Sequence, residues 1–62
     1  MSFKDLINTM SGGTTVQIFN DTKEIYFGKL GDALVKDFSQ YFDEKVYRVN
    51  INPELMAITI AF

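Results

Sequence analysis

Residues 14–29, Thr14-Thr15-Val16-Gln17-Ile18-Phe19-Asn20-Asp21-Thr22-Lys23-Glu24-Ile25-Tyr26-Phe27-Gly28-Lys29, hold two alternating runs separated by a polar tetrad. Val16 and Ile18 alternate with Thr15, Gln17 and Phe19, and Ile25 and Phe27 alternate with Tyr26. A period of two is the mark of a strand, because successive side chains leave it on opposite faces. Asn20-Asp21-Thr22-Lys23 is turn chemistry, since short polar side chains bond nearby backbone and tolerate unusual dihedrals. The stretch reads as a hairpin. Its apolar face carries Val16, Ile18, Ile25 and Phe27, and its other face carries Gln17, Phe19 and Tyr26.

Toward the N-terminus, Ser2 and Asp5 have capping-box spacing, with a hydroxyl at the N-cap and a carboxylate three residues on. Phe3, Leu6, Ile7 and Met10 follow at the intervals of one helical face. Gly12-Gly13 is the expected stop. A helix over 3–10 is predicted, too short to stand alone in water and so obliged to dock.

Toward the C-terminus, Leu30-Gly31-Asp32 breaks the alternation, and Asp32 is a candidate N-cap. Leu34, Val35, Phe38, Tyr41 and Phe42 then trace an apolar stripe, with Lys36, Asp37, Ser39 and Gln40 opposite. This predicts a helix over 33–42. Val46 to Asn52 alternates again, with Tyr47, Val49 and Ile51 on one face and Val46, Arg48 and Asn50 on the other. Asn52-Pro53-Glu54 has a type I turn signature. Met56 to Phe62 closes a second hairpin, with Met56, Ile58, Ile60 and Phe62 facing one way and Leu55, Ala57, Thr59 and Ala61 the other.

The order α-β-β-α-β-β predicts one α+β domain over residues 1–62: a four-stranded, mainly antiparallel sheet with helices on one face. Either hairpin can supply the central strands. The expected core is Val16, Ile18, Ile25, Phe27, Leu34, Phe38, Tyr41, Val49, Ile51, Ile58 and Ile60.

Composition narrows the function. With 62 residues, no cysteine and no histidine, the chain lacks thiol nucleophiles, imidazole bases, disulfides and Cys/His metal sites. Asp21, Glu24, Asp43 and Glu44 are its closest approach to an oxygen-ligand cluster, but the glycine-centred calcium-loop spacing is absent. They read as solvated loops. Gly12-Gly13-Thr14-Thr15 lacks the lysine of a phosphate loop and runs into a strand, whereas a phosphate cradle opens a helix. No catalytic residue, cofactor or metal is expected.

A net charge of −2 offers no broad attraction to nucleic acid or anionic lipid. No apolar run approaches the ~20 residues of a membrane-spanning helix. Met1-Ser2-Phe3-Lys4-Asp5 lacks the apolar stretch of a secretory signal, so a cytoplasmic location is expected.

Alternation leaves Gln17, Phe19, Tyr26, Arg48 and Thr59 on the sheet face away from the helices. Rigid aromatics and arginine are enriched at interface hot spots, which makes these five the candidate partner-binding set. Phe19, Tyr26, Val46 and Leu55 add uncovered apolar surface. Small domains without staples recover missing burial by oligomerising, so a homodimer through the open face or an edge strand is expected.

The short helix over 3–10, the run Glu24-Ile25-Tyr26-Phe27-Gly28, and the hairpin from Val46-Tyr47-Arg48-Val49 to Ile58-Thr59-Ile60 together resemble very small α/β proteins of bacteriophages and mobile elements of Gram-positive bacteria. Some such proteins inhibit host defence systems. The resemblance implies a small non-enzymatic interaction module, an accessory or inhibitor protein that binds a protein partner stoichiometrically. It carries over no functional residue. The alternative is a small ligand or single-stranded nucleic acid bound on the open sheet face, where Phe19, Tyr26 and Arg48 could stack bases.

Overall fold

Ser2 caps the first helix as its spacing predicts: its Oγ accepts from the Asp5 N–H at 3.1 Å, and α1 runs Phe3–Ile7. The computed structural model describes residues 1–35 and 38–62. It continues with β1 (Thr15–Asn20), β2 (Lys23–Lys29), α2 (Leu30–Val35), a 3-10 turn (Ser39–Tyr41), β3 (Arg48–Asn52) and β4 (Ala57–Ala61). Lys36, Asp37 and the side chains of Leu34 and Val35 lie outside the described residues, and with them the expected core place of Leu34, the place of Val35 on the apolar stripe and the polar face of Lys36 and Asp37. Replacing Ser2 with Ala removes the cap acceptor and is expected to cost about 1 kcal/mol in urea denaturation.

Both helices depart from their predicted limits for local reasons. Helix α1 stops three residues early. The Thr9 hydroxyl donates to the Leu6 carbonyl at 2.7 Å, and the Thr9 and Met10 N–H groups bond three residues back, to Leu6 and Ile7. That tightened turn ends the α-helical ladder before the glycines are reached.

Helix α2 starts at Leu30, directly after β2. The N–H groups of Leu30 and Gly31 donate to the carbonyls of Thr14 and Gly12, each at 2.9 Å. Two orphan donors are thereby satisfied without a side chain. Asp32 is therefore not the N-cap; it lies in the first turn, where a carboxylate favours the helix dipole. The approach also favours a glycine: a Cβ on Gly31 would lie 3.2 Å from the Gly12 carbonyl oxygen, which would have to give by a few tenths of an ångström. Of the span expected as a helix over 33–42, the described residues show the last residues of α2 up to Val35 and a 3-10 turn over Ser39–Tyr41.

The four strands form one sheet in the order β2-β1-β4-β3. Each hairpin is antiparallel and contributes one central strand and one edge, while β1 and β4 pair in parallel at the centre. The fold is thus α+β, with a mixed, mostly antiparallel sheet.

Helix α1 buries Phe3, Leu6 and Ile7 on the same side as Leu30, against Val16 and Ile18 of β1 and Ile60 of β4. Phe62 closes this core: its ring lies 5.0 Å from Phe3 and 5.1 Å from Tyr41. Of the expected core, Val16, Ile18 and Ile60 are fully buried, and Ile25, Phe38, Tyr41 and Ile58 pack against them half-buried. Phe27, Val49 and Ile51 are not core; they are 48 %, 48 % and 79 % exposed. Val46, placed on the uncovered face by alternation, packs against the core instead. Met56 does not join the Ile58 face, because it stands in the β3–β4 turn with φ +50 and is 84 % exposed. No helix among the described residues is long and apolar enough to cross a membrane.

Candidate interaction surfaces

Strand register assigns the two sheet faces. Gln17 pairs with Thr59 and Phe19 with Ala61, and Arg48 pairs with Ala61 across the second hairpin. Directly paired residues share a face. Gln17, Phe19, Arg48 and Thr59 therefore meet on the open side, as the alternation predicts.

Tyr26 does not join them. The β1–β2 ladder is irregular between Ile18 and Phe19: Ile18 pairs with Tyr26 but Phe19 pairs with Glu24, which leaves Ile25 as the extra residue of a bulge. Past the bulge the alternation inverts. Tyr26 turns to the helix side, and Phe27, opposite Gln17, turns to the open side.

On the helix side the Tyr26 ring sits edge-on to Phe38 at 5.8 Å, and its hydroxyl donates to the Lys29 carbonyl at 2.7 Å. Desolvation, with the Asp32 carboxylate adding to it, raises the phenol above the usual tyrosine pKa range, so it remains a neutral donor. Tyr26 therefore packs on the helix side and not on the open face where alternation places it.

The four remaining residues line a cleft of about 350 Å³ together with Asp21, Thr22, Tyr47 and Ala61. A chain of polar contacts braces its wall. The Thr59 hydroxyl donates to Gln17 Oε1 at 3.2 Å, and Gln17 Nε2 donates to Glu24 Oε1 at 2.9 Å. The Tyr47 hydroxyl donates to the Asp21 carbonyl at 3.1 Å and closes one end. Alternation placed Tyr47 with Val49 and Ile51. It escapes that rule because it precedes β3, and its N–H bonds the Ala61 carbonyl outside the regular ladder. Among the described residues, no group of three acidic side chains could hold a metal ion.

A second surface lies on the β3–β4 hairpin. Val49 and Ile51 pair with Ile60 and Ile58 and so face the helix side. The helical cover rests on the central strands and leaves this edge bare. Leu55 (44 % exposed) and Met56 extend the bare apolar strip through the turn. Ile51, Pro53, Met56 and Ile58 line a depression of about 460 Å³ beside Thr14 and Thr15. Asn52 holds the turn in place, its Oδ1 accepting from the N–H groups of Glu54 and Leu55 at 3.1 and 3.2 Å. Neither Ile51 nor Met56 belonged to the five-residue set; alternation alone assigns both to a covered face.

Compared with protein-family models, curated proteins and solved structures, the chain matches none.

Proposed function

We propose that this chain is a small non-enzymatic protein-interaction module, acting in the cytoplasm by stoichiometric binding in the manner of phage accessory or inhibitor proteins. The supporting observation is the strip Val49, Ile51, Leu55 and Met56: four large apolar side chains exposed together on one hairpin. Scattered apolar residues are ordinary on a protein surface, but four large ones on a single hairpin, two of them lining one depression, mark an association site. Most of its area is on Ile51 and Met56, and both project from a hairpin whose turn is held by Asn52.

A second reading, ligand binding on the open face, draws on the cleft where Gln17, Phe19, Arg48 and Thr59 converge. A volume of about 350 Å³ is at the lower end for small-molecule sites. The carboxylates of Asp21 and Glu24 beside it offset the single arginine, which disfavours nucleic acid.

The two readings separate by mutation. An Ile51→Lys/Met56→Lys variant changes only exposed positions, so its stability should stay within about 1 kcal/mol of the parent. In affinity capture it should lose a partner that the parent retains, while Phe19→Ala/Arg48→Ala keeps it. The reverse pattern moves the function to the cleft.

A further inference from the structure

We infer that the occupant of the β3 edge is a second copy of this chain, added by antiparallel pairing of β3 with β3 about a two-fold axis at Asn50. This deepens the interaction reading and rests on it. The sheet has two edges, and they differ. Strand β2 carries a bulge at Ile25, lysines at both ends, and Gly28 at φ +156. Bulges, edge lysines and local twist are the devices by which native edges refuse further strands. Strand β3 has none of them. Its five residues pair with β4 in unbroken register from Arg48–Ala61 to Asn52–Ala57.

The open edge also has defined ends. Before it, the Val46 N–H donates to the Met1 carbonyl at 2.9 Å and Lys45 bridges Ser2. The N-terminal segment thus occupies the outer side up to residue 46. After it, Pro53 lacks the N–H needed to extend a ladder. What is left is a slot the length of Arg48–Asn52.

That sequence is complementary to itself when reversed. With Asn50 on the axis, Val49 faces Ile51 of the other copy and Arg48 faces Asn52. Each pairing joins residues of the same sheet face, as antiparallel neighbours require. Arg48 is the strand's only charge, and this register sets it against a neutral amide. No like charges oppose each other. Val49 and Ile51 from both copies then form one apolar cluster over the axis and recover burial that a domain of this size lacks. The contact is isologous, so it closes at two copies and leaves only the blunted β2 edges outside.

Sedimentation equilibrium of the wild-type chain and of Asn50→Lys and Asn50→Asp tests this register. Asn50 is exposed, so neither change disturbs the core. Wild type should move from one chain mass to two as concentration rises. Each variant alone should have its dimer dissociation constant raised at least ~100-fold, because like charges then meet on the axis. An equimolar mixture of the two variants should regain a dimer, which misfolded variants could not do. A wild type that stays monomeric at millimolar concentration overturns the second-copy assignment and leaves the partner reading to the Ile51→Lys/Met56→Lys capture. Dimers that persist in both single variants place the contact elsewhere and overturn the β3 pairing.

Discussion

Phe3→Ala should remove about 3–5 kcal/mol of stability, a large part of what a domain of this size possesses. The side chain is 1 % exposed and its ring approaches those of Phe42 and Phe62 at 6.5 and 5.0 Å. Its backbone is committed as well, since the Phe3 N–H donates to the Glu44 carbonyl at 2.8 Å. Phe3 therefore joins three parts of the chain that are distant in sequence: the leader helix, the segment after the 3-10 turn and the last residue. Truncation leaves a cavity that these short segments cannot close without losing their own hydrogen bonds. Urea denaturation followed by circular dichroism should show a largely unfolded population at 25 °C. A melt close to the parent's would mean that α1 does not dock as described.

Gly28→Ala is expected to cost about 1–3 kcal/mol, although it adds a single carbon on a half-exposed edge strand. Gly28 has φ +156, a conformation side chains rarely adopt, and an added Cβ would lie 2.8 Å from the Tyr26 hydroxyl and 3.2 Å from its Cζ. The Tyr26 ring covers Gly28 in place of a side chain. The two positions must therefore be coupled. In the Tyr26→Phe background, where the nearest clashing atom is gone, Gly28→Ala should cost measurably less than in the parent. Strict additivity of the two changes in thermal denaturation would show that the ring does not lie over the glycine.

The fold was largely readable because the pattern and the packing agree in most elements. Val16, Ile18 and Ile60 lie on central strands, where every inward position is covered, so alternation and burial coincide. The pattern misleads where geometry intervenes. Ile25-Tyr26-Phe27 reads as a plain alternation, and nothing in those letters announces a bulge, yet the bulge exchanges the faces of Tyr26 and Phe27. Gly28 is the one local signal, since a glycine inside a strand pattern often marks a bulge or a close approach. Val49 and Ile51 alternate correctly and point to the predicted side. They are exposed because β3 is an edge that the helices do not reach, and strand order is not written in periodicity.

The candidate site was readable to the same degree. Gln17, Phe19, Arg48 and Thr59 converge because they sit on β1, β4 and β3, whose registers are regular at those positions. Tyr26 lies on the opposite face because it follows the bulge. The β3–β4 strip was hidden by the same rule that found the core: alternation counts apolar residues on a face without knowing how far the cover extends.

Hydrogen–deuterium exchange of the wild-type chain, compared between dilute and concentrated solution, addresses the β3 edge at the level of single amides. Pairing of β3 with a second copy predicts that alternate N–H groups within Arg48–Asn52 slow as concentration rises, while those of Lys23–Lys29 exchange at the same rate throughout. Exchange in β3 that is indifferent to concentration, or protection that grows along β2 instead, would contradict it.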